Sequence, residues 1–422
     1  MADTLLEHPA TDVGHEDTLL SSGSSHEAPL GTPSAAPRNT VLPRVEWKGA
    51  QPAVVPFARE RFEEVRPLGQ GGMGEVVLLQ DHDIDRQVAL KRMHPGADMD
   101  RVLRFVEEIR IVGQLDHPNI VPLHDVGVDE RGRYFFVMKH LEGETLESII
   151  ARLRRGDPEA HARFPYTMRM QIFLGVLNAV SYAHRKGFIH RDLKPANIMV
   201  GPFGEVTVLD WGLARRVRSG PESVPPPLPV AMRHGSPPAL PLPETTSPHT
   251  QQGTVMGTPL YMSPEQARGS HATLDVRSDI YSLSVVFHEF LCLRHYLEGR
   301  KSLEDIFKGV ETVLPSMQDL HRTTNQPPVP AELAWFVVKG FYKDPAQRYG
   351  SVEEMVTSLQ GVLDGRIQVH CQRTLLKNGL HRMLRVVDAH PVLVVLVTGA
   401  LFSLGLASAV SLGMSLFTAM FR

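Results

Sequence analysis

Cysteine is almost missing from this chain: its 422 residues contain two, Cys292 and Cys371, with no ligand-like spacing around either. That excludes a disulfide scaffold or a cysteine-based zinc site, and it suits a reducing compartment. An excess of one charge is missing too. Lys and Arg total 44 against 47 Asp and Glu, so the chain as a whole offers no electrostatic footprint for a nucleic-acid partner. The amino terminus has no basic stretch followed by an apolar run, so no cleaved signal peptide is expected. At the other end, charge disappears altogether. From Ala389 to Phe421 there is no Asp, Glu, Lys or Arg, and Leu, Val, Ala and Phe dominate. Roughly 20 apolar residues cross a bilayer as a helix. A single transmembrane helix over 391–421 is therefore expected; a buried core helix is the alternative, but such length without charge is rare in soluble domains.

The chain is long enough for two or three domains and a large core. Residues 1–57 are rich in Ser, Pro, Thr, Gly and Asp without apolar periodicity, which predicts a disordered tail. Asp3-Thr4-Leu5-Leu6 returns as Asp17-Thr18-Leu19-Leu20, either by coincidence in a biased segment or as paired docking or phosphorylation sites. A folded unit is expected over 58–365. Its first part reads as strands at Phe62–Val65, Glu75–Leu79, Gln87–Lys91 and Tyr134–Met138. A helix is predicted over Arg101–Leu115, where Val102, Phe105, Ile109 and Val112 share a face. After Leu146 the pattern is mostly helical, with a broad apolar face on Thr167–Arg185. The fold class is α+β: a strand-rich lobe, then a helical lobe, with chemistry at the junction. Residues 216–252 are Pro-rich and read as an insertion. In 366–390, Arg366, Arg373, Lys377, Arg382 and Arg385 face one acid, Asp388. That excess beside the apolar run predicts that the preceding domain stays cytoplasmic.

The chemistry concentrates in His190-Arg191-Asp192-Leu193-Lys194-Pro195-Ala196-Asn197-Ile198-Met199. An Asp, a Lys two residues on and an Asn five residues on suit phosphoryl transfer: a proton acceptor, a neutralising cation and a metal ligand. Upstream lies Gly69-Gln70-Gly71-Gly72-Met73-Gly74, downstream Asp210-Trp211-Gly212. The glycines let backbone amides close over phosphates. Such a loop also opens dinucleotide folds, but those need a helix directly afterwards, and Glu75-Val76-Val77-Leu78 reads as strand. Lys91 ends the next strand and needs a carboxylate to orient it; Glu107 and Glu108 on the following helix both compete for that role.

These motifs resemble the eukaryotic-type (Hanks-type) Ser/Thr protein kinases of bacteria, over roughly Phe62 to Leu363, and the resemblance implies a bilobal kinase fold with a β-rich N-lobe and a helical C-lobe. It favours Glu108 over Glu107, because Glu108 precedes His117-Pro118-Asn119 at the spacing found in related kinases. It further implies that Asp192 is the catalytic base, that Lys194 contacts the γ-phosphate, that Lys91 holds phosphates, and that Asn197 and Asp210 bind Mg2+, with Mn2+ as a substitute. The ATP site would comprise Leu68, Gly69, Gln70, Gly71, Gly72, Met73, Gly74, Val76, Ala89, Lys91, Met138, Lys139, Leu141 and Met199. Val76, Ala89 and Met199 would sandwich adenine, Met138 would be the gatekeeper, and Lys139 to Leu141 the hinge. Gly257 to Glu265 resembles the substrate-docking segment, with Thr258 in it. Asp279 and Arg348 resemble the anchors of the helical lobe, with Glu265 the partner of Arg348. Lys194 and Thr258 point to Ser or Thr as the acceptor.

Two departures from the family pattern are conservative: Trp211 stands for the usual Phe, and Ser263 for the usual Ala. The third is large, because the Pro-rich insertion lengthens the segment from Asp210 to Glu265. Arg191 beside Asp192 implies control by a phosphate in that segment. Thr254 is the first candidate acceptor there, followed by Thr250 and Ser247. Small residues recur every fourth position at Gly399, Ser403, Ala407, Ser411, Ser415 and Ala419, a stripe that would let two membrane helices pair into a homodimer. The expectation is thus a single-pass kinase of the cell membrane, autophosphorylating and acting on protein substrates. The rivals are an inactive scaffold, which would have lost Lys91, Asp192, Asn197 or Asp210, and a small-molecule kinase, which would not need the docking segment.

Overall fold

The computed structural model describes residues 39–55, 59–216, 259–269, 274–315, 326–366 and 390–420, with isolated positions between 374 and 387. Thr258, Thr254, Thr250, Ser247, Cys371 and both Asp-Thr-Leu-Leu motifs lie outside them.

The first described element corrects one expectation. Within the 1–57 stretch read as disordered, β1 (Arg44–Lys48) and β2 (Gln51–Val55) form an antiparallel hairpin, pairing Val45 with Val54 and Trp47 with Pro52. The signal was a two-residue Gly49-Ala50 turn, with Gly49 at φ +67°, a conformation natural to glycine. The Pro in β2 masked it, as Pro reads against strand.

The N-lobe is a five-stranded antiparallel sheet of β3 (Phe62–Gln70), β4 (Gly74–Asp81), β5 (Arg86–Met93), β6 (Leu123–Val128) and β7 (Tyr134–Lys139), in the order β3-β4-β5-β7-β6. Strand alternation sorts its side chains onto two faces. Val77, Leu79, Val88, Leu90, Phe135 and Val137 bury themselves as one core cluster. The register Val76↔Lys91↔Phe136 and Leu78↔Ala89↔Met138 puts Val76, Ala89, Lys91 and Met138 together on the other face. Helix α1 (Met99–Val112) is capped by Asp98, whose side chain accepts from Arg101 N. It buries Phe105 against Phe136, with ring centroids 5.5 Å apart.

In the C-lobe, β8 (Glu144–Thr145) leads into α2 (Leu146–Arg154), α3 (Pro158–Arg163) and α4 (Tyr166–Arg185). Short strands follow: β9 (Phe188–Ile189), β10 (Ile198–Val200), β11 (Val206–Val208) and β12 (Arg215–Arg216). Then come α5 (Pro264–Ala267), α6 (Val276–Cys292), α7 (Leu303–Thr312), α8 (Ala331–Gly340) and α9 (Val352–Leu363). Every residue of α6 from Ser278 to Cys292 is buried, polar ones such as Asp279 and Ser284 included, so the helix runs through the core with those side chains hydrogen-bonded there. Phe173 of α4 stacks on Phe287 of α6 at 4.1 Å between centroids. This central pair of helices is the rigid base on which the loop after β9 rests.

The last helix, α10, runs from Pro391 to Met420. Its stretch Pro391–Phe417 is long and apolar enough to cross a membrane, with none of its most apolar window buried by the rest of the chain.

Candidate active site

The loop between β9 and β10 is held from below. Buried Asp279 of α6 accepts from the backbone N–H of His190 at 2.8 Å and of Arg191 at 2.9 Å, and pairs with His184 Nε2 at 2.7 Å. Burial pushes the Asp279 carboxyl up, but His184, His190 and the Arg191 amide outweigh it and keep it below the usual carboxylate range. With its backbone clamped there, Arg191 takes φ +70°, an unusual conformation for a residue other than glycine.

Above the clamp, three polar side chains converge. Lys194 Nζ lies 2.7 Å from Asp192 Oδ2. The Asn197 amide donates to the Asp192 carbonyl at 3.0 Å, which leaves Asn197 Oδ1 as the acceptor for a cation. Leu209 N–H donates to the Asn197 carbonyl at 2.8 Å, tying this loop to the strand end that carries Asp210. Asp210 also has a positive φ, +54°.

On the facing lobe, Lys91 Nζ is 2.6 Å from Glu108 Oε1 and 3.4 Å from Asp210 Oδ1. The structure therefore brings Glu108, not Glu107, to the lysine; Glu107 is exposed on α1. Burial pushes Lys91 down, but Glu108 and Asp210 outweigh it and raise its pKa. Burial and the nearby Asp210 raise Glu108, with Lys91 opposing. Asp210 itself is pushed up by burial and pulled further down by Lys91, His190 and Lys194, so it stays ionised.

The remaining predicted residues frame this centre. Leu68, Gly69 and Gln70 end β3, and Gly71, Gly72 and Met73 turn the chain into β4 at Gly74. A Cβ at Gly74 would collide with the Arg92 carbonyl, so only glycine fits there. Met138 and Lys139 end β7, Leu141 follows, and Met199 pairs with Thr145 of β8. Lys139 points to the sheet face opposite Met138, consistent with a hinge position that would offer backbone rather than side chain.

Some contributors were not singled out from the sequence. His94 Nε2 lies 2.9 Å from the Gly71 carbonyl, and the His94 N–H reaches the Met73 carbonyl at 3.4 Å, so the residue beyond β5 steadies the glycine turn. No sequence motif announces that contact. Gln266 donates to the Arg191 carbonyl at 2.9 Å and closes a capping box with Ser263 at the start of α5. That box was readable as Ser-x-x-Gln. Trp211 is fully buried against His190, 4.5 Å between rings.

No group of three or more His, Cys, Asp or Glu side chains among the described residues could hold a metal. A magnesium ion does not need one: it takes one or two protein oxygens and completes its shell with phosphates and water. Asp210 and Asn197 fit that donor set.

The protein kinase domain model matches residues 62–359. The chain belongs to the protein kinase family. It is 33% identical to the serine/threonine-protein kinase PknD of Protochlamydia amoebophila over 327 residues, 75% of this chain and 31% of that one. It is similar to a probable serine/threonine-protein kinase of Streptomyces coelicolor, 33% identical over 72% of this chain and 40% of the relative. It also resembles the serine/threonine-protein kinase PrkC of Bacillus subtilis, 31% identical over 72% of this chain and 41% of the relative. The chain thus spans well under half the length of these relatives. Family membership brings use of ATP and a divalent metal. The match covers both lobes, so the β-rich part, the helical part and the cleft between them are those of a protein kinase.

Proposed function

We propose that the protein transfers the γ-phosphate of ATP to Ser and Thr hydroxyls of proteins. The observation that carries this reading is the convergence of Asp192, Lys194 and Asn197 on one clamped loop, with Lys194 Nζ 2.7 Å from Asp192 Oδ2. Asp192 accepts the proton of the attacking hydroxyl as its oxygen bonds to phosphorus and the bond to the ADP oxygen breaks. Lys194 leaves Asp192 for the γ-phosphate and offsets its charge, while Lys91, oriented by Glu108, holds the α- and β-phosphates. The face bearing Val76, Ala89 and Met138 receives adenine. Asp210 and Asn197 would hold Mg2+, or Mn2+ in its place, which would supply charge neutralisation at the phosphates.

Membrane anchoring rests on α10 and on the basic residues before it, which favour a cytoplasmic kinase domain and a single-pass protein of the cell membrane. Pairing of α10 through the Gly399–Ala419 stripe would bring two kinase domains together for autophosphorylation in signalling. Arg191 and Arg215 lie close enough for Arg215, after burial, to lower the Arg191 pKa. Two guanidinium groups there suit a phosphate on the segment carrying Thr254, Thr250 and Ser247.

The test is phosphate transfer from labelled ATP by the full chain in detergent, with Asp192→Asn and Lys91→Met in parallel. Label on Ser or Thr that vanishes in both variants supports the reading. ATP binding without transfer under either metal would make the protein a scaffold.

A further inference from the structure

The hairpin ahead of the N-lobe sorts its side chains onto two faces. The register Val45↔Val54 and Trp47↔Pro52 puts these four apolar residues on one face, with Arg44, Glu46 and Lys48 of β1 on the other. The apolar face is open: Trp47 is 71% exposed, Val45 58% and Val54 68%. Among the described residues β1 and β2 pair only with each other, so β1 also keeps a free edge. We propose that the chain's own Asp-Thr-Leu-Leu motifs, residues 3–6 and 17–20, dock here in turn as a third strand along β1 and cover Trp47.

The root of the hairpin is fastened to the kinase domain. Asp83 Oδ1, in the turn after β4, accepts from the Val41 N–H at 2.8 Å and the Leu42 N–H at 2.9 Å. The Thr40 N–H donates to the Arg59 carbonyl at 2.8 Å, and the Arg59 N–H donates back to Thr40 Oγ1 at 3.2 Å. The strands themselves have no such support. A two-stranded hairpin is marginal in water, and a third strand sharing an apolar face is what stabilises such a sheet.

The chain before Asn39 supplies the occupant. Asn39 pairs with Glu60, so residues 1–38 leave the described structure beside the hairpin's root. Residues 1–37 carry six Asp and Glu and no Lys or Arg, whereas β1 bears Arg44 and Lys48 on either side of Glu46. They contain no aromatic residue and no Ile; Leu5-Leu6 and Leu19-Leu20 are their only adjacent pairs of large apolar residues. In an extended strand the second Leu of each motif shares a face with Thr, and Asp lies on the other. Leu6 or Leu20 then meets Val45 and Trp47, while Asp3 or Asp17 falls on the side of Lys48. Backbone pairing at the edge supplies affinity and the alternating side chains supply selectivity. The chain from Leu20 to Arg44 is far longer than a return between neighbouring strands needs. Two motifs on one tail raise the local supply for a single edge.

The experiment uses the full chain in detergent and reads the emission of Trp47, isolated by subtracting the Trp47→Phe variant. In the unaltered chain this emission should be blue-shifted and shielded from acrylamide. Leu5→Asn, Leu6→Asn, Leu19→Asn and Leu20→Asn together should shift it to the red and remove the shielding. The β1 amides that point away from β2 should lose protection from hydrogen exchange in the same variant. A synthetic peptide of residues 1–24 should restore both signals there, and adding Lys48→Glu should weaken its binding. The proposal is overturned if Trp47 is equally accessible with and without the four Leu residues, if the peptide restores nothing, or if the edge amides of the unaltered chain exchange freely. Shielding that survives the Leu substitutions also overturns it: loss on dilution would assign the face to a second copy, and quenching by a brominated detergent would assign it to the apolar phase. None of these readouts requires phosphate transfer, so the proposal and the kinase reading can fail independently.

Discussion

Lys91 Nζ lies 2.6 Å from Glu108 Oε1, joining the middle of the N-lobe sheet to helix α1 across 17 residues of sequence. The pair is buried, with side-chain exposures of 14% and 2%, and it points the ammonium at Asp210. On the proposed reading, this pair orients Lys91 for the phosphates of ATP. Lys91→Met should therefore lower kcat by about a hundredfold or more, as removing one preorganised cation does. Glu108→Gln should follow it in direction, while Glu107→Gln, on the exposed side of α1, should have little effect. Steady-state transfer rates for the three variants check this; equal losses for Glu107 and Glu108 would contradict the assignment.

A second buried pair anchors the helical lobe. Arg348 meets both oxygens of Glu265, at 2.8 and 2.9 Å, and also donates to the carbonyls of Tyr342 and Arg277. Removing one partner leaves the other charge buried and alone, which typically costs about 3–5 kcal/mol. Arg348→Met should accordingly lower the denaturant midpoint of the kinase domain sharply. A shift within error would show that water reaches the site.

The chain should lose stability as it is acidified. Burial first, then the charge of Arg154, hold His295 down to about 4 from an ordinary 6.5. A depressed folded-state value means that its stabilising contribution is complete above 6.5 and is lost as pH falls towards 4. The loss amounts to about 3 kcal/mol by linkage. Melting curves across that window should fall less steeply for His295→Gln than for the unaltered chain.

Deleting residues 389–422 should give a soluble protein that still binds ATP, because α10 buries nothing in the rest of the chain. Nucleotide binding measured by calorimetry without detergent checks this. Failure would mean that the catalytic domain needs its carboxyl terminus.

Replacing Gly399, Ser403 and Ala407 with Leu should weaken self-association in membranes, since the small stripe that lets two helices approach would be filled. Energy transfer between labelled chains in vesicles is the measurement. Unchanged transfer would leave α10 as an anchor alone.

How much of this was legible beforehand follows from how local each signal is. The glycine loop, the Asp192–Lys194–Asn197 spacing and the capping box at Ser263 are short-range patterns whose geometry follows from turn and helix chemistry. The β4, β5 and α1 segments were recognisable because strand alternation and helical periodicity are properties of adjacent residues. The hairpin at Arg44–Val55 was missed because one Pro outweighed a two-residue Gly turn. The contact of His94 with Gly71 crosses 23 residues and leaves no periodic trace.

By itself, then, the sequence determined the order of elements, the family motifs and the apolar carboxyl-terminal run, all encoded in neighbouring residues. Only the tertiary structure decided which of two adjacent glutamates meets Lys91 and how Asp279 clamps the loop under Asp192. Each of those depends on distances between residues far apart in the chain, and such distances exist only once sheet register and helix packing have set them.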